Sequence, residues 1–237
     1  MTTAIVTGAA GGIGLEVCRQ LAQRHLAVVL TARDPARAEA AAASLRDEGL
    51  DVVGHQLDVC DQSSVDLFVL WLAGRPVQAL VNNAAAFVDW SEATSRADLD
   101  AARRVMDTNL FGAWRVTMAV LPLLRDSGHG RIVNVTSSGG SHADAIVGLG
   151  ALCGRGAAYG VSKAAQNAWT AALAAELAGT GVLVNAANPG LTATRPGAEE
   201  MGARPVADGA AGIVWAATLP DDGPTGGFFK DGEPVPV

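Results

Sequence analysis

Cysteine and histidine are scarce in this chain, and their scarcity excludes two classes of protein. The three cysteines, Cys18, Cys60 and Cys153, are too few and too widely spaced for a disulfide framework or a metal knuckle. We therefore interpret them as buried, inert thiols of a protein in a reducing cytoplasm. The four histidines also lack the spacing of metal ligands, so we expect no metal site.

Positive charge and long apolar runs are lacking as well. The sequence has 17 basic and 24 acidic residues, which gives a formal net charge of -7. This balance disfavours nucleic acid and anionic membranes as main partners. No apolar run reaches the length of a transmembrane helix, and the first residues lack the basic region of a signal peptide. We therefore expect a cytoplasmic protein.

Short apolar runs rich in β-branched residues alternate with alanine-rich helical patterns along the whole chain. Because these runs are apolar throughout, they predict parallel strands that are covered on both faces. The predicted strands are residues 4–7, 27–31, 52–56, 79–82, 132–135 and 182–186, with another at 227–229. The predicted helices are 12–24, 35–48, 63–73, 97–126 with a break near Asn109, 157–179 and 206–218. The alternation predicts one α/β domain over residues 1–237, with a doubly wound parallel sheet and helices on both faces.

A glycine-rich segment joins the first predicted strand to the first predicted helix. Its glycines are Gly8, Gly12 and Gly14. Glycine permits a tight turn and a close approach of the backbone to a pyrophosphate, and the helix N-terminus supplies free N–H groups. The spacing differs from the G-x-G-x-x-G pattern of dinucleotide-binding loops, and a plain turn is the competing interpretation. The position between a strand and a helix favours a phosphate-binding loop.

The end of the second predicted strand bears on the choice of dinucleotide. An acidic residue there would bind the ribose hydroxyls of NAD, but this chain has Ala32 followed by Arg33. A guanidinium group matches a 2′-phosphate in charge and in bidentate geometry. Arg33 therefore favours NADP(H) over NAD(H), with a solvated surface arginine as the competing interpretation.

The only tyrosine of the chain, Tyr159, precedes Lys163 by four residues. Residues four apart lie on the same face of a helix, so we expect the ammonium group beside the phenol. A nearby positive charge lowers the pKa of a phenol. The pair therefore predicts a general acid/base that works near neutral pH.

Several motifs occur together along the chain: Thr7-Gly-x-x-x-Gly-Ile-Gly14, Asn82-Asn83-Ala84-Ala85, Asn109, Ser137, Tyr159-x-x-x-Lys163 and Pro189-Gly190. Their order resembles the short-chain dehydrogenase/reductase family. The segments Val-Leu-Thr-Ala-Arg-Asp at 29–34 and Pro-Thr-Gly-Gly-Phe-Phe-Lys-Asp-Gly at 224–232 resemble its carbonyl-reductase branch. The resemblance covers nearly the whole chain. It implies a Rossmann-type fold and an NADPH-dependent oxidoreductase that reduces a ketone or aldehyde carbonyl to an alcohol by hydride transfer, with Tyr159 as proton donor.

The resemblance also assigns residue roles. The implied catalytic residues are Asn109, Ser137, Tyr159 and Lys163, with Ser138 as the alternative serine and with Asn109 holding a water beside the lysine. Asp58 resembles the aspartate that meets the adenine amino group, although a turn-starting aspartate is nearly as good an interpretation. The implied cofactor-binding residues are Gly8, Ala10, Gly12, Ile13, Gly14, Arg33, Asp58, Val59, Asn83, Ala84, Ala85, Tyr159, Lys163, Pro189, Gly190, Thr192 and Thr194. Asn82 is expected to tie strand backbones together.

Two segments depart from the compact members of the family. Twenty-two positions separate Ser137 from Tyr159, against about a dozen in compact members, which indicates an insertion at about 141–156. The segment 195–207 is short, so any substrate lid is small. The family default implies a homo-oligomer, whereas the insertion favours a monomer, so both states stay open.

Two further functions compete with carbonyl reduction. One is an NAD(H)-linked alcohol or hydroxysteroid-type dehydrogenase of the same fold, against which Arg33 argues. The other is a non-catalytic dinucleotide-binding sensor, against which the intact proton-transfer residues argue. In either case the small-molecule partner cannot be named from the sequence. Four tryptophans are interpreted as core or interface residues rather than as a substrate platform: Trp90, Trp114, Trp169 and Trp215.

Overall fold

The computed structural model describes residues 2–151 and 154–237, and Cys153 lies outside them. The strands are β1 (Thr3–Val6), β2 (Ala27–Ala32), β3 (Val52–Gln56), β4 (Val77–Asn82), β5 (Arg131–Val135), β6 (Leu183–Ala187), β7 (Phe228–Lys230) and β8 (Glu233–Pro234). The helices are α1 (Gly12–Gln23), α2 (Pro35–Asp47), α3 (Gln62–Leu72), α4 (Leu99–Met106), α5 (Ala113–Asp126), α6 (Ala157–Glu176) and α7 (Val206–Ala217).

All strands lie in one sheet of order β3-β2-β1-β4-β5-β6-β7-β8. Strands β1 to β7 are parallel, and β8 pairs with β7 in the antiparallel direction. The order reverses between β1 and β4, so the sheet is a doubly wound, Rossmann-type sheet, as predicted. In such sheets ligands bind beyond the carboxyl ends of the strands near the reversal. The glycine-rich segment, which follows β1, lies at this edge.

Each face of the sheet carries its own apolar core. On one face α1, α2 and α7 pack against the strands through small and aliphatic side chains, with Ala38, Ala42 and Leu45 fully buried. On the other face α3, α5 and α6 pack around Phe68, Val116 and Leu177. Gly54 in β3 lets α2 approach closely, because a Cβ there would lie 2.6 Å from the carbonyl oxygen of Ala38. The apolar strand runs of the sequence therefore correspond to strands covered on both faces.

Local sequence explains the start of α2 and a break between two later helices. Asp34 caps α2 by accepting a hydrogen bond from the backbone N–H of Ala36 at 2.9 Å, with Pro35 at the first helical position. The break predicted near Asn109 is a π-helical turn, Asp107–Gly112, between α4 and α5. Such turns widen a helix locally and are frequent at functional sites.

Strand β8 was not predicted, because its two residues include a proline and carry no alternating pattern.

Within the described residues, no helix is both long and apolar enough to cross a membrane.

A buried arginine joins three loops at the amino edge of the sheet. The Arg131 side chain is 2% exposed. Its Nε donates to the carbonyl oxygen of Leu219 at 2.8 Å, and its Nη1 donates to those of Gly130 at 2.9 Å and Gly181 at 3.3 Å. Its Nη2 donates to the Asp221 carboxylate at 2.6 Å. Arg131 therefore satisfies carbonyl groups from the loops before β5, before β6 and after α7.

Replacement of Arg131 by methionine is expected to lower the free energy of unfolding by about 2–4 kcal/mol, because buried carbonyl oxygens lose their donor. Urea denaturation measures this loss. Asp221→Ala is the control: it removes only a carboxylate that is 60% exposed, and we expect a clearly smaller loss because the three carbonyl contacts of Arg131 remain. Equal losses in the two variants would contradict the role given to the three carbonyl contacts.

Candidate active site

The candidate site lies along the carboxyl edge of the sheet, where segments after β1, β4, β5 and β6 meet the amino half of α6. Thr7 connects the first two segments: its hydroxyl accepts hydrogen bonds from the backbone N–H groups of Asn83 and Ala84, both at 3.0 Å. In the opposite direction, the Asn83 side chain donates hydrogen bonds to the carbonyl oxygens of Thr7 at 2.9 Å and Gly8 at 3.0 Å. Asn83, rather than the predicted Asn82, therefore ties the backbones together.

Asn82 instead joins side chains inside the sheet. Its amide donates to the Thr117 hydroxyl at 2.9 Å and to the side-chain Oδ1 of Asn134 at 2.8 Å. The prediction for Asn82 was therefore wrong in its partner, because its side chain turns into the core while that of Asn83 turns toward the glycine loop.

The backbone of the glycine loop has a conformation and close contacts that only glycine permits at several positions. At Gly8 the φ angle is +62°, and a Cβ would lie 2.6 Å from the Cα of Ala84. At Gly14 a Cβ would lie 2.5 Å from Nδ2 of Asn83. At Gly12 the nearest atom to such a Cβ is the methyl group of Thr194, at 3.4 Å. The loop is thus in contact with the segments after β4 and β6, in front of the amino end of α1.

Two of the three residues predicted to lie at the adenine end of a cofactor make local contacts. The Asp58 carboxylate accepts from the backbone N–H of Cys60 at 3.0 Å, which is the turn role that competed with adenine binding. The carbonyl oxygen of Val59 accepts from Arg115 at 2.5 Å. Arg33 is exposed just after β2, and its guanidinium group makes no hydrogen bond or ion pair with residues 2–151 or 154–237. It is therefore available to an anionic ligand.

The loop after β6 is folded on itself. Asn188 accepts from the backbone N–H of Gly190 at 2.9 Å, and the hydroxyl of Thr192 donates to the carbonyl oxygen of Pro189 at 3.2 Å. The Asn188 amide also donates to the Ser138 hydroxyl at 2.7 Å. Asn188 was not predicted, although its place directly before Pro189-Gly190 could have drawn attention to it.

The hydrogen-bond partners of Ser137 and Ser138 distinguish these two candidate serines. The Ser138 hydroxyl is bound by Asn188 and also interacts with the Asp144 carboxylate. The Ser137 hydroxyl accepts only from the backbone N–H of Gly139, at 3.1 Å, and interacts with the Tyr159 phenol. Ser137 is therefore the serine that shares a site with the tyrosine.

Tyr159 and Lys163 lie one helical turn apart on α6, as their spacing predicts, and both are buried. The Lys163 ammonium group lies 5.7 Å from the centre of the Tyr159 ring. Its Nζ donates to the carbonyl oxygen of Val135 at 2.8 Å and to Oε1 of Gln166 at 3.0 Å. Gln166 was not singled out in the sequence, because a helical glutamine gives no pattern of its own.

Burial sets the protonation of both groups. It raises the pKa of Tyr159 to about 12, an effect that the Ser137 hydroxyl partly offsets, and it lowers the pKa of Lys163 to about 7. For Tyr159 this direction is opposite to the sequence expectation, because burial outweighs a lysine whose ammonium group is directed at other partners. The phenol therefore stays protonated at neutral pH, the state that a proton donor requires.

Asn109 fixes the loop after β4 to α6. Within the π-helical turn its side chain is fully buried. Its Oδ1 accepts from the backbone N–H of Ala86 at 2.7 Å, and its Nδ2 donates to the carbonyl oxygen of Ala86 at 3.0 Å and to the Ser162 hydroxyl at 2.9 Å. These bonds place Asn109 next to Ser162, the residue that precedes Lys163, and none of these side-chain hydrogen bonds goes to the lysine.

The chain matches the family model described as short chain dehydrogenase over residues 2–203. Since this match spans most of the sequence, the chain belongs to the short-chain dehydrogenase/reductase family and is an oxidoreductase of that family.

Its relatives include ketoreductases and carbonyl reductases. The chain is 39% identical to a monensin polyketide synthase putative ketoacyl reductase of Streptomyces virginiae, over 81% of this chain and 70% of that protein. It is 33% identical to carbonyl reductase [NADPH] 1 of Sus scrofa, over 96% of this chain and 91% of that protein. Among solved structures, a variant of the actinorhodin polyketide ketoreductase with NADPH superposes with a TM-score of 0.84 at 29% identity, covering 97% of this chain and 95% of that one.

Proposed function

We propose that this protein reduces the carbonyl group of a ketone or aldehyde to an alcohol, with NADPH as the hydride donor. The observation that carries the proposal is the grouping of the Ser137 hydroxyl, the buried Tyr159 phenol and Lys163 in one site at the carboxyl edge of the sheet. A group that remains protonated at neutral pH can donate a proton to a developing alkoxide. The relatives named above, among them a carbonyl reductase that uses NADPH, agree with this direction.

The described residues fit a nicotinamide dinucleotide. Gly8 and Gly14 let the loop pack closely against the segment after β4, where a Cβ would lie 2.6 Å from Ala84 or 2.5 Å from Asn83, and the amino end of α1 provides free N–H groups at this loop. Pro189, Gly190, Thr192 and Thr194 form the loop that would border the nicotinamide end. When bound, NADPH supplies the hydride for the carbonyl carbon.

The side chains of the chain supply the rest of the reaction. The hydroxyl groups of Ser137 and Tyr159 orient the carbonyl oxygen, and their hydrogen bonds strengthen as negative charge develops on it. Tyr159 then donates its proton to that oxygen. Lys163 lies one turn further along α6, and its ammonium form stabilises the resulting phenolate. Asn109 holds Ser162 and the loop after β4 in place, and thereby orients this part of α6.

The test is oxidation of NADPH by purified protein with aldehydes, ketones and quinones, compared with NADH. The proposal predicts turnover that favours NADPH. Tight binding of NADPH without turnover of any carbonyl would instead support the dinucleotide-binding sensor. Turnover that favours NADH would support the NAD(H)-linked dehydrogenase.

Arg33 is the residue that we expect to select NADPH. Arg33→Ala should raise the KM for NADPH by about 10- to 100-fold, the loss expected for one charge-assisted contact to a phosphate, and should leave the KM for NADH nearly unchanged. Arg24→Ala serves as the matched control, because Arg24 is exposed at the opposite end of α1. An equal rise for both cofactors, or none, would argue against a contact between Arg33 and the 2′-phosphate.

A further inference from the structure

Two aromatic side chains from the loop after β4 cover the ring of Tyr159. Phe87 stacks on it nearly in parallel, with ring centres 5.2 Å apart and planes inclined by 18°. Trp90 meets it edge-on, at 5.1 Å and 64°. Tyr159 is 8% exposed, whereas Phe87 is 62% and Trp90 is 42% exposed. The two covering rings therefore present much of their own surface to solvent beside the proton donor.

Residues 155 and 156, at the end of the predicted insertion, hold this loop in place. Ala93 and Arg155 form an antiparallel bridge, and the backbone N–H of Gly156 donates to the carbonyl oxygen of Glu92 at 3.2 Å. Trp90 packs directly on Gly156, where a Cβ would lie 2.6 Å from Cε3 of the indole. Trp90, which is 42% exposed, thus packs on the end of the insertion and not in the core, which corrects the core interpretation of this residue.

The wall that carries the two rings continues with apolar side chains of the insertion. Val147 and Leu149 line a cavity of about 20 Å³ together with Trp90 and Tyr159. This volume suffices for about one water molecule. This space is too small for the part of a substrate beyond its carbonyl, and the exposed faces of the two rings offer apolar surface for it beside Tyr159.

We propose that Phe87 and Trp90 form an aromatic clamp that selects carbonyl substrates with a planar aryl ring close to the reacting carbonyl. The proposal rests on the carbonyl reduction proposed above. Aromatic rings in offset or edge-to-face contact attract each other beyond the burial of their area, by an amount that corresponds to about a two- to tenfold preference for each pairing. A saturated ring buries a similar apolar area but lacks this attraction. The clamp therefore distinguishes two substrates of the same carbon skeleton.

Phenylacetone and cyclohexylacetone provide this comparison. In both ketones a methylene group separates the ring from the carbonyl, so the ring does not conjugate with it and the carbonyls react similarly. We expect kcat/KM of the wild-type protein with NADPH to favour phenylacetone by about tenfold. Phe87→Leu and Trp90→Leu should each reduce this ratio several-fold, mainly by lowering kcat/KM for phenylacetone.

Trp114→Leu is the matched control. Trp114 is 41% exposed, close to the value for Trp90, and stacks on Trp169, which lies ten residues beyond Tyr159 on α6. The ratio should stay unchanged in this variant.

A ratio near one in the wild-type protein, or a ratio that neither clamp variant alters, would overturn the proposal. A parallel fall for both ketones in the two variants would also overturn it, because the rings would then only support Tyr159. Turnover of other carbonyls without either ketone would overturn the clamp alone. Absence of NADPH oxidation with every carbonyl would overturn the proposed function together with the clamp.

Discussion

Replacement of Tyr159 by phenylalanine is expected to reduce kcat for carbonyl reduction by about 10²- to 10⁴-fold, the usual contribution of a positioned general acid. The variant keeps the ring that packs between Phe87 and Trp90 and loses only the hydroxyl group. Binding of NADPH, followed by fluorescence titration, should therefore stay nearly unchanged. Stopped-flow measurement of NADPH oxidation under saturating conditions gives kcat directly.

A pair of adjacent serines provides the control for this experiment. Ser137→Ala removes the hydroxyl that interacts with the Tyr159 phenol and should lower kcat by about 10²-fold or more. Ser138→Ala removes a hydroxyl that is bound by Asn188 and should have a much smaller effect. Near-normal turnover in Tyr159→Phe, or a larger loss in Ser138→Ala than in Ser137→Ala, would contradict the assignment of the proton donor and its partner.

The second large effect concerns the dependence of stability on pH. Burial lowers the pKa of Lys163 from its usual 10.5 to about 7. Below pH 7 the lysine is charged in both the folded and the unfolded state, and the folded state carries the full penalty of burying it. Between pH 7 and about 10 the unfolded state binds more protons, so the free energy of unfolding rises with pH. One group contributes about 1.4 kcal/mol per pH unit in this range.

Lys163→Met should remove this rise. We expect the free energy of unfolding of the wild-type protein minus that of the variant to increase by about 4 kcal/mol from pH 7 to pH 10, at the slope given above. Urea denaturation at several pH values measures the difference, in which the titration of all other groups cancels.

The sequence offers a matched control, because Lys163 and Lys230 are its only lysines. Lys230 is exposed, so Lys230→Met should leave the pH dependence unchanged. A constant difference between wild type and Lys163→Met would show that the lysine keeps an ordinary pKa.

Much of the fold was predictable because local sequence and tertiary packing agree. Each of the seven predicted strands exists, with ends shifted by at most two residues, since apolar runs between helical patterns leave few other choices. The start of α2 follows from Asp34 and Pro35, which act within one turn. The two-residue strand β8 has no such local pattern, because its pairing depends entirely on β7.

The candidate site was predictable where spacing along one element decides the geometry. Tyr159 and Lys163 lie on one face of a helix in any structure that keeps α6. The contacts of Asn82 and Asn83 were harder to assign, because adjacent residues at the end of a strand face opposite directions and no local pattern shows which side the loop occupies. The placement of Trp90 on Tyr159 required the insertion to pair with a loop some sixty residues earlier, and such long-range pairing leaves no periodic trace in the sequence.

Burial explains the other difference between expectation and structure. Four-residue spacing brings an ammonium group near a phenol, but the pKa of the phenol also depends on how deeply the pair is buried. The rings of Phe87 and Trp90 exclude water from Tyr159, which raises its pKa to about 12. Exposure could not be derived from the spacing, since it depends on residues that are distant in sequence.

The most direct test of carbonyl reduction follows the hydride itself. Purified protein is incubated with phenylacetone and with NADPH that carries deuterium at C4 of the nicotinamide ring, in each of the two stereochemical positions separately, and the product is analysed by mass spectrometry and NMR. The account predicts an alcohol with deuterium on its carbinol carbon from one of the two labelled cofactors and not from the other. Consumption of phenylacetone without transfer of the label from either cofactor would contradict it.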